Sequence, residues 1–358
     1  MAQGFICAVL LFLHQPVSLN KRILACILLT FLLLSFKILL HTLGLWQKPF
    51  WRYLPLGFDL LIQPLFYLYT LSLTQKNFKL SRQLLVHFIP VLLFLMHAIG
   101  VYMLVQQTDI IPTKDQLAER WYYNIVKEIE DVLSVISGIV YWYLSFRQVQ
   151  AYKQWLNSNI SNAAYPSYNW LRNVMLAMGI FVVILTINIF LELGFSFGAR
   201  YFIQWQFFYF YLAALVYYLG FAGYQQKDFQ VAFQPEKRSA VVIDKTQVQT
   251  IKERLLTAIE TDKVYLDPEL NLSTLANKIG VSDAMLSAVI NEEFQQNFRN
   301  FINEKRVEEV KRKLGSPAAK HLSILGIALE SGFNSEASFY RVFKSVTGQS
   351  PKDFLLKK

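Results

Sequence analysis

The chain of 358 residues is 54% hydrophobic and 15% aromatic but only 17% charged, against about 25% charged in ordinary soluble domains. That balance excludes a disordered chain and a disulfide-stapled secreted module, and it argues against a wholly soluble enzyme. The formal net charge of +10 is uneven: residues 1–245 hold 19 Lys and Arg against 11 Asp and Glu, whereas residues 246–358 hold 16 against 14.

A helix needs about 20 mostly apolar residues to cross a bilayer. Six segments approach that length: Ile23–Leu45, Tyr53–Thr74, Leu84–Val105, Val132–Phe146 with its upstream turns, Leu171–Leu193 and Phe202–Tyr224. A seventh candidate, Ala2–Leu19, is interrupted by His14, Gln15 and Pro16. Residues 1–224 are therefore expected to form a multi-pass helical membrane domain of six or seven spans. Short loops on one side collect 11 Lys and Arg, among them Lys21, Arg22, Lys79, Arg82, Arg147 and Arg172; the other side collects 6. The excess of positive charge marks the cytoplasmic side, so the C-terminal part is expected in the cytoplasm. The basic pI of 9.4 is then mostly topology and says nothing of nucleic acid.

Polar residues within spans are few: Lys37, Asp59, His97, Asn188 and Glu192 fall in the outer half of their segments. Lys37 and Asp59 lie at similar depth, so an ion pair between them is feasible. Intramembrane ionisable groups mark functional sites by default, and these five are candidates for a ligand-sensing cavity open to the outside. The plainer alternative is that Lys37 and Glu192 snorkel to the interface and Asp59 bonds a neighbouring helix. Cys7 and Cys26 both sit in apolar stretches and form no disulfide framework or metal spacing. No cofactor is expected.

Residues 225–245 read as a linker, and 246–358 as a cytoplasmic helical domain. Thr246–Thr261 has apolar residues at helical spacing. Leu272–Ile279 reads as a short helix, Gly280 as its left-handed stop, and Ser282 as the cap of a second helix carrying Leu286, Val289 and Ile290. This is a helix-turn-helix pattern. It recurs 52 residues later: Ile324–Ser331, Gly332 as the turn, Asn334 as a cap, then a helix with Phe339, Val342 and Phe343. The two units, about 272–294 and 323–346, flank a charged helix, Phe298–Leu314. Ser350 and Pro351 open a last short helix. Two such units on one linking helix could lay recognition helices into successive major grooves, about 34 Å apart.

Gly332-Phe333-Asn334-Ser335, Phe339-Tyr340-Arg341-Val342-Phe343-Lys344 and Thr347-Gly348-Gln349-Ser350-Pro351 resemble the signature of the AraC/XylS family of bacterial transcription regulators. The resemblance covers Leu272–Lys357, about a quarter of the chain. It implies that Glu336, Ala337, Tyr340, Arg341 and Lys344 of the second recognition helix meet base edges and phosphates. In the first, the corresponding positions are Ala284, Ser287, Ala288 and Asn291. The family often has Arg or Lys at the last two, so this unit is expected to offer only thymine-methyl, weak polar and phosphate contacts. Lys305, Arg306, Lys311, Arg312 and Lys313 on the linking helix either add attraction for DNA or form a solvated ion-paired face with Glu304, Glu308 and Glu309.

The soluble half contains no phosphate loop, metal spacing or catalytic set, so no enzyme is expected. The expectation is an all-α regulator in the bacterial cytoplasmic membrane, a one-component sensor. Its partners would be double-stranded DNA, membrane lipid, an unidentified small-molecule or envelope signal, and a second copy paired through the Thr246–Thr261 helix. The rival is a membrane receptor or carrier whose cytoplasmic tail binds protein partners.

Overall fold

A computed structural model describes residues 1–14, 18–75, 78–161, 166–195, 203–225, 244–316 and 322–356. The expected linker, apart from its ends, lies outside the described residues, as do five of the 17 loop cations, Lys76, Arg200, Lys227, Lys237 and Arg238. All secondary structure among the described residues is helical, with no strand. The chain divides into two compact units. One comprises Met1–Gln150 and Ser167–Gln234, the other Ala151–Pro166 and Pro235–Lys358.

The first unit contains α1 (Ala2–Leu13), α2 (Leu19–Thr42), α3 (Ile62–Thr74), α4 (Arg82–Val105), α5 (Ile111–Arg120), most of α6 (Tyr123–Asn159), α7 (Pro166–Phe195) and α8 (Ile203–Gln225). Five of these, namely α2, α4, α6, the Tyr168–Phe195 part of α7 and the Trp205–Gln225 part of α8, are long and apolar enough to cross a membrane. Their apolar side chains also point outward. Leu92, Leu93, Met96 and Met103 of α4 and Leu176, Val183 and Phe190 of α7 are all exposed, as lipid-facing positions would be.

The expected second span, Tyr53–Thr74, is not one helix. Tyr53 has φ +66°, Pro55 follows, and tight turns carry the chain to Leu61, with Leu56 N–H on the Leu54 carbonyl and Phe58 N–H on that of Leu56. Helix begins only at Ile62 and lasts 13 residues, roughly 20 Å at 1.5 Å per residue, short of a hydrocarbon core of about 30 Å. The N-terminal candidate is likewise a 12-residue helix. Helix α1 packs on α2 and α8, and α2 also packs on α3 and α8. A small residue makes one of these approaches possible: a Cβ on Gly223 would fall 2.4 Å from Leu24 Cδ2. Side-chain hydrogen bonds tie other helices together. Trp142 Nε1 donates to the Met175 carbonyl at 3.0 Å, Tyr211 to that of Ala177 at 2.6 Å, and Gln148 to Thr74 Oγ1 at 2.9 Å.

The second unit contains α9 (Lys245–Glu260), α10 (Leu272–Ile279), α11 (Asp283–Phe294), α12 (Phe298–Leu314), α13 (Ile324–Glu330), α14 (Glu336–Thr347) and α15 (Pro351–Leu356). It has two apolar cores. One gathers Leu255 and Ile259 of α9, Leu275 of α10, Leu286 and Ile290 of α11, and Phe298, Phe301 and Ile302 of α12. The other gathers Val307 and Val310 of α12, Ile327, Phe333, Phe339 and Phe343. Thus α12 belongs to both. The apolar stripe of α9 is spent in the first core, which leaves little of it for a pairing seam. Residues 151–166, which the sequence places within the apolar part, also join this unit. Ser161 Oγ donates to the Leu270 carbonyl at 2.6 Å, Arg299 to Asn157 Oδ1 at 3.2 Å, and Ile160 bridges to Asn271.

Gly332 has φ +92°, and a Cβ there would lie 2.2 Å from the Tyr265 carbonyl oxygen and 2.9 Å from Arg306 Nε. The positive φ alone costs an alanine about 1–2 kcal/mol, and the backbone clash must be relieved as well. Gly332→Ala is expected to destabilise the second unit by ~3 kcal/mol or more. Gly348→Ala, at φ +77° but in open space, should cost only the first part. Hydrogen exchange of α13 and α14 in the full chain checks this: equal effects of the two substitutions would refute it.

Candidate nucleic-acid interface and charged cluster

Helix α10 starts where Asn271 accepts a hydrogen bond from Thr274 N–H at 3.0 Å. It buries Leu272, Leu275, Ala276 and Ile279 and stops at Gly280, φ +73°. Ser282 caps α11, its Oγ accepting from Met285 N–H at 3.3 Å. With Leu286, Val289 and Ile290 buried, the opposite side of α11 presents Ala284, Ser287 and Ala288, all half-buried, and exposed Asn291. These four recur at helical spacing and share one face. Its only side-chain polarity is a hydroxyl and an amide. Glu293 is ion-paired with Lys252 at 2.6 Å.

The second unit repeats the construction with one change. Ser323 caps α13 through Gly326 N–H at 3.0 Å. The cap of α14 is Ser335, whose Oγ accepts from Ser338 N–H at 3.3 Å, rather than Asn334. Serine's shorter side chain reaches the N3 amide from the residue adjoining the first turn. Phe339, Val342 and Phe343 face inward, while Glu336, Ala337, Tyr340, Arg341 and Lys344 are all exposed. Among the described residues neither Arg341 nor Lys344 has an ion-pair partner. The Tyr340 ring leans edge-on against Phe339 at 5.2 Å, which restrains its position. Ser350 Oγ caps α15 through Asp353 N–H at 3.2 Å.

The cations of α12 behave differently. Arg306 is buried. Its Nε donates to the Tyr265 carbonyl at 2.8 Å and its Nη2 to that of Asp267 at 2.7 Å, with the guanidinium 6.0 Å from the centre of the Phe333 ring. Arg312 forms a fork on Glu309 at 2.8 and 2.6 Å, Lys305 pairs with Glu308 at 2.9 Å, and Lys313 with Glu330 at 3.1 Å. The Arg312 fork holds the Glu309 carboxyl below its ordinary range. The ion-paired face is therefore what α12 carries, and of its five named cations only Lys311 has no such engagement among the described residues. Arg306 lies four residues from both Ile302 and Val310, so its place on the buried stripe is present in the spacing.

In the first unit, Lys37 Nζ stands 3.6 Å from Asp59 Oδ2, the pairing that similar depth suggested. The stronger partner of Asp59 is Lys127, at 2.6 Å. Lys127 also holds Glu130 at 2.8 Å and Asp131 at 3.2 Å. The i, i+3 and i, i+4 spacing of Lys127, Glu130 and Asp131 signals this cluster in the sequence; their join to Asp59 is tertiary. His97 bonds the Trp121 carbonyl at 3.0 Å and lines a chamber of about 30 Å³ beside the cluster. Asn188 is buried, its amide donating to the Ile184 carbonyl at 2.8 Å. Neither Asn188 nor Glu192 lines that chamber or the larger cavity of about 230 Å³ next to it.

A family model described as a helix-turn-helix domain matches residues 275–357. The probable transcription factor PqrA of Proteus vulgaris is 32% identical over 106 residues, covering 30% of this chain and 84% of PqrA. An HTH-type transcriptional regulator of Staphylococcus aureus is 36% identical over 92 residues, covering 26% of this chain. This chain spans only 12% of that regulator's length. A solved structure from Listeria innocua, of a protein of unknown function, is 26% identical and covers 30% of this chain and 96% of its own, with a TM-score of 0.27. The relatives carry the names of transcription regulators, not of enzymes.

Arg306→Leu removes two charge-assisted bonds and leaves two carbonyls without their donor. It is expected to cost ~3 kcal/mol of stability while leaving the salt dependence of any DNA binding unchanged, because the group is not available to phosphate. A shallower salt slope in this variant would show that Arg306 reaches DNA after all.

Proposed function

The chain belongs to the AraC-type helix-turn-helix transcription regulators, and from that premise we propose that it is a membrane-tethered, sequence-specific DNA-binding regulator whose apolar helices sense a signal. The observation that carries the DNA reading is the outward face of α14. There Arg341 and Lys344 stand exposed and unpaired among the described residues beside Tyr340, Glu336 and Ala337. An arginine fork matches guanine O6 and N7 in the major groove, and a lysine is a point charge for phosphate. The face of α11 has no cation, so Ala284 and Ala288 offer methyl contacts to thymine, and Ser287 and Asn291 polar ones. Direct readout is then unequal between the two units. The second reads bases, and the first positions the domain with a preference for A·T pairs.

Membrane attachment is supported by the five long apolar helices and their outward-facing side chains. Non-helical backbone is tolerated at membrane depth where protein surrounds it. A crossing made of the 53–61 turns plus α3 keeps the expected orientation, with the DNA-binding unit in the cytoplasm of a bacterial cell. The sensing assignment rests on the Lys37–Asp59–Lys127 cluster. A ligand acts only by binding two states unequally. Two copies side by side would double the length of DNA read.

Genomic fragments selected on the full chain in lipid nanodiscs test the reading. A defined site should emerge. Arg341→Ala should lose about 1–3 kcal/mol of discrimination at one base position, and Lys344→Ala should weaken all sequences alike and reduce the salt slope by about 1. Unaltered selection by Arg341→Ala would transfer the case to a protein-binding tail. Orientation is read separately: a cysteine placed by Lys352→Cys should react with an impermeant maleimide only after cells are opened.

A further inference from the structure

Five ionisable side chains meet in the first unit. Two are cations, Lys37 and Lys127, and three are carboxylates, Asp59, Glu130 and Asp131. With all five ionised the cluster carries one excess negative charge. The shortage is visible in its bonds, since Lys127 alone serves three carboxylates. Glu130 is 4% exposed, and its Oε1 is buried with no hydrogen-bond partner. That oxygen faces Gly57, whose Cβ would lie 3.3 Å from it, and both residues line the 30 Å³ chamber, a space of about one water. A buried carboxylate oxygen without a donor is costly; a water in the chamber would supply that donor, and the excess negative charge of the cluster is left to be met from its other side.

The other side of the same cluster opens on the cavity of about 230 Å³. Lys37, His41, Asp59, Asp131 and Ser134 form its polar wall, and Phe181, Trp205, Phe208 and Tyr209 are its aromatic walls. A cavity of about 150 Å³ already admits benzene, so this one accommodates a ring or an equivalent alkyl group together with a charged head. Aromatic faces attract organic cations when water is excluded. A proton would balance the charge but would need neither the volume nor the aromatic walls. Among the described residues no group of His, Cys, Asp and Glu is arranged to hold a metal ion.

We propose that this cavity binds a small organic ammonium compound, its cationic head at Asp59 and Asp131 and its apolar body against Trp205, Phe208 and Tyr209. The proposal rests on the sensing role given above to the first unit and specifies the chemistry of the signal. Lys37, at 3.6 Å, holds Asp59 more loosely than Lys127 at 2.6 Å. It is the group that an incoming ammonium displaces, and its release from α3's approach segment to α2 is the difference between the empty and occupied states.

The full chain in lipid nanodiscs is titrated with three probes that share a phenylethyl body, 2-phenylethylamine, 2-phenylethanol and 3-phenylpropanoate, reading thermal unfolding and tryptophan fluorescence. The amine should raise the unfolding midpoint and change the fluorescence saturably, the alcohol should act at least about tenfold more weakly, and the carboxylate not at all. Asp131→Asn should lose the preference for the amine over the alcohol. If that variant does not fold, Leu185→Phe, which narrows the cavity and leaves the cluster intact, should weaken the amine and the alcohol together. Preference for the carboxylate, or equal response to all three probes, overturns the proposal. So does a midpoint that moves with pH while no probe binds, which would assign the missing charge to a proton. DNA affinity measured in the same samples separates the two levels. Amine binding that leaves DNA affinity unchanged upholds the cavity and refutes the sensing role.

Discussion

Arg306 holds the DNA-binding unit together at its seam. Helix α12 contributes Phe298, Phe301 and Ile302 to one core and Val307, Val310 and Leu314 to the other, and Arg306 lies between the two sets. Its guanidinium takes the carbonyls of Tyr265 and Asp267 from the first half and stacks toward Phe333 of the second. Burial lowers its pKa, yet an arginine remains charged under such conditions, so the carbonyls receive charge-assisted bonds. Gly332 turns tightly against the same spot, where no side chain fits. Two helix-turn-helix units joined only by a flexible tether could each read DNA, but not in a common register. The buried arginine and the turn packed on it hold α11 and α14 in one mutual orientation, which the proposed reading of DNA by both requires.

Most cations of α12 are likewise engaged within the unit. Each is answered within a turn, or by α13, through Glu308, Glu309 or Glu330. Arg341 and Lys344 of α14, like Lys311, are without an ion-pair partner among the described residues. Exposed ion pairs add little stability, about 0–1 kcal/mol each. Their consequence here is that Lys305, Arg312 and Lys313 are engaged within the unit, unlike Arg341 and Lys344 on the outward face of α14.

In the apolar unit the controlling constraint is the cost of isolated charge. Lys37, Asp59, Lys127, Glu130 and Asp131 meet one another there, and Asp59 reaches them from the non-helical turns at 53–61. A continuous helix through Tyr53–Thr74 would carry Asp59 on a regular face. The turns after Tyr53 instead bring it within reach of both lysines. The break in the expected span thus contains one member of the charged cluster, Asp59.

Much of this was legible in the residues. Apolar run lengths marked α2, α4, α7 and α8, because spanning a bilayer is a local requirement of length and hydropathy. The two helix-turn-helix units were legible to within a residue or two, because caps, glycine turns and apolar stripes act over three or four positions. So was the outward face of α14, since a helix that buries Phe339, Val342 and Phe343 must expose Tyr340, Arg341 and Lys344. What only tertiary structure decided are the meetings between distant segments: Lys127 with Asp59, Arg306 with the Tyr265 and Asp267 carbonyls, Ser161 with Leu270, and the loss of helix at Tyr53–Leu61. Local pattern carries no information about which partner satisfies a buried charge, because that depends on which segments the packed fold brings within about 3 Å of one another.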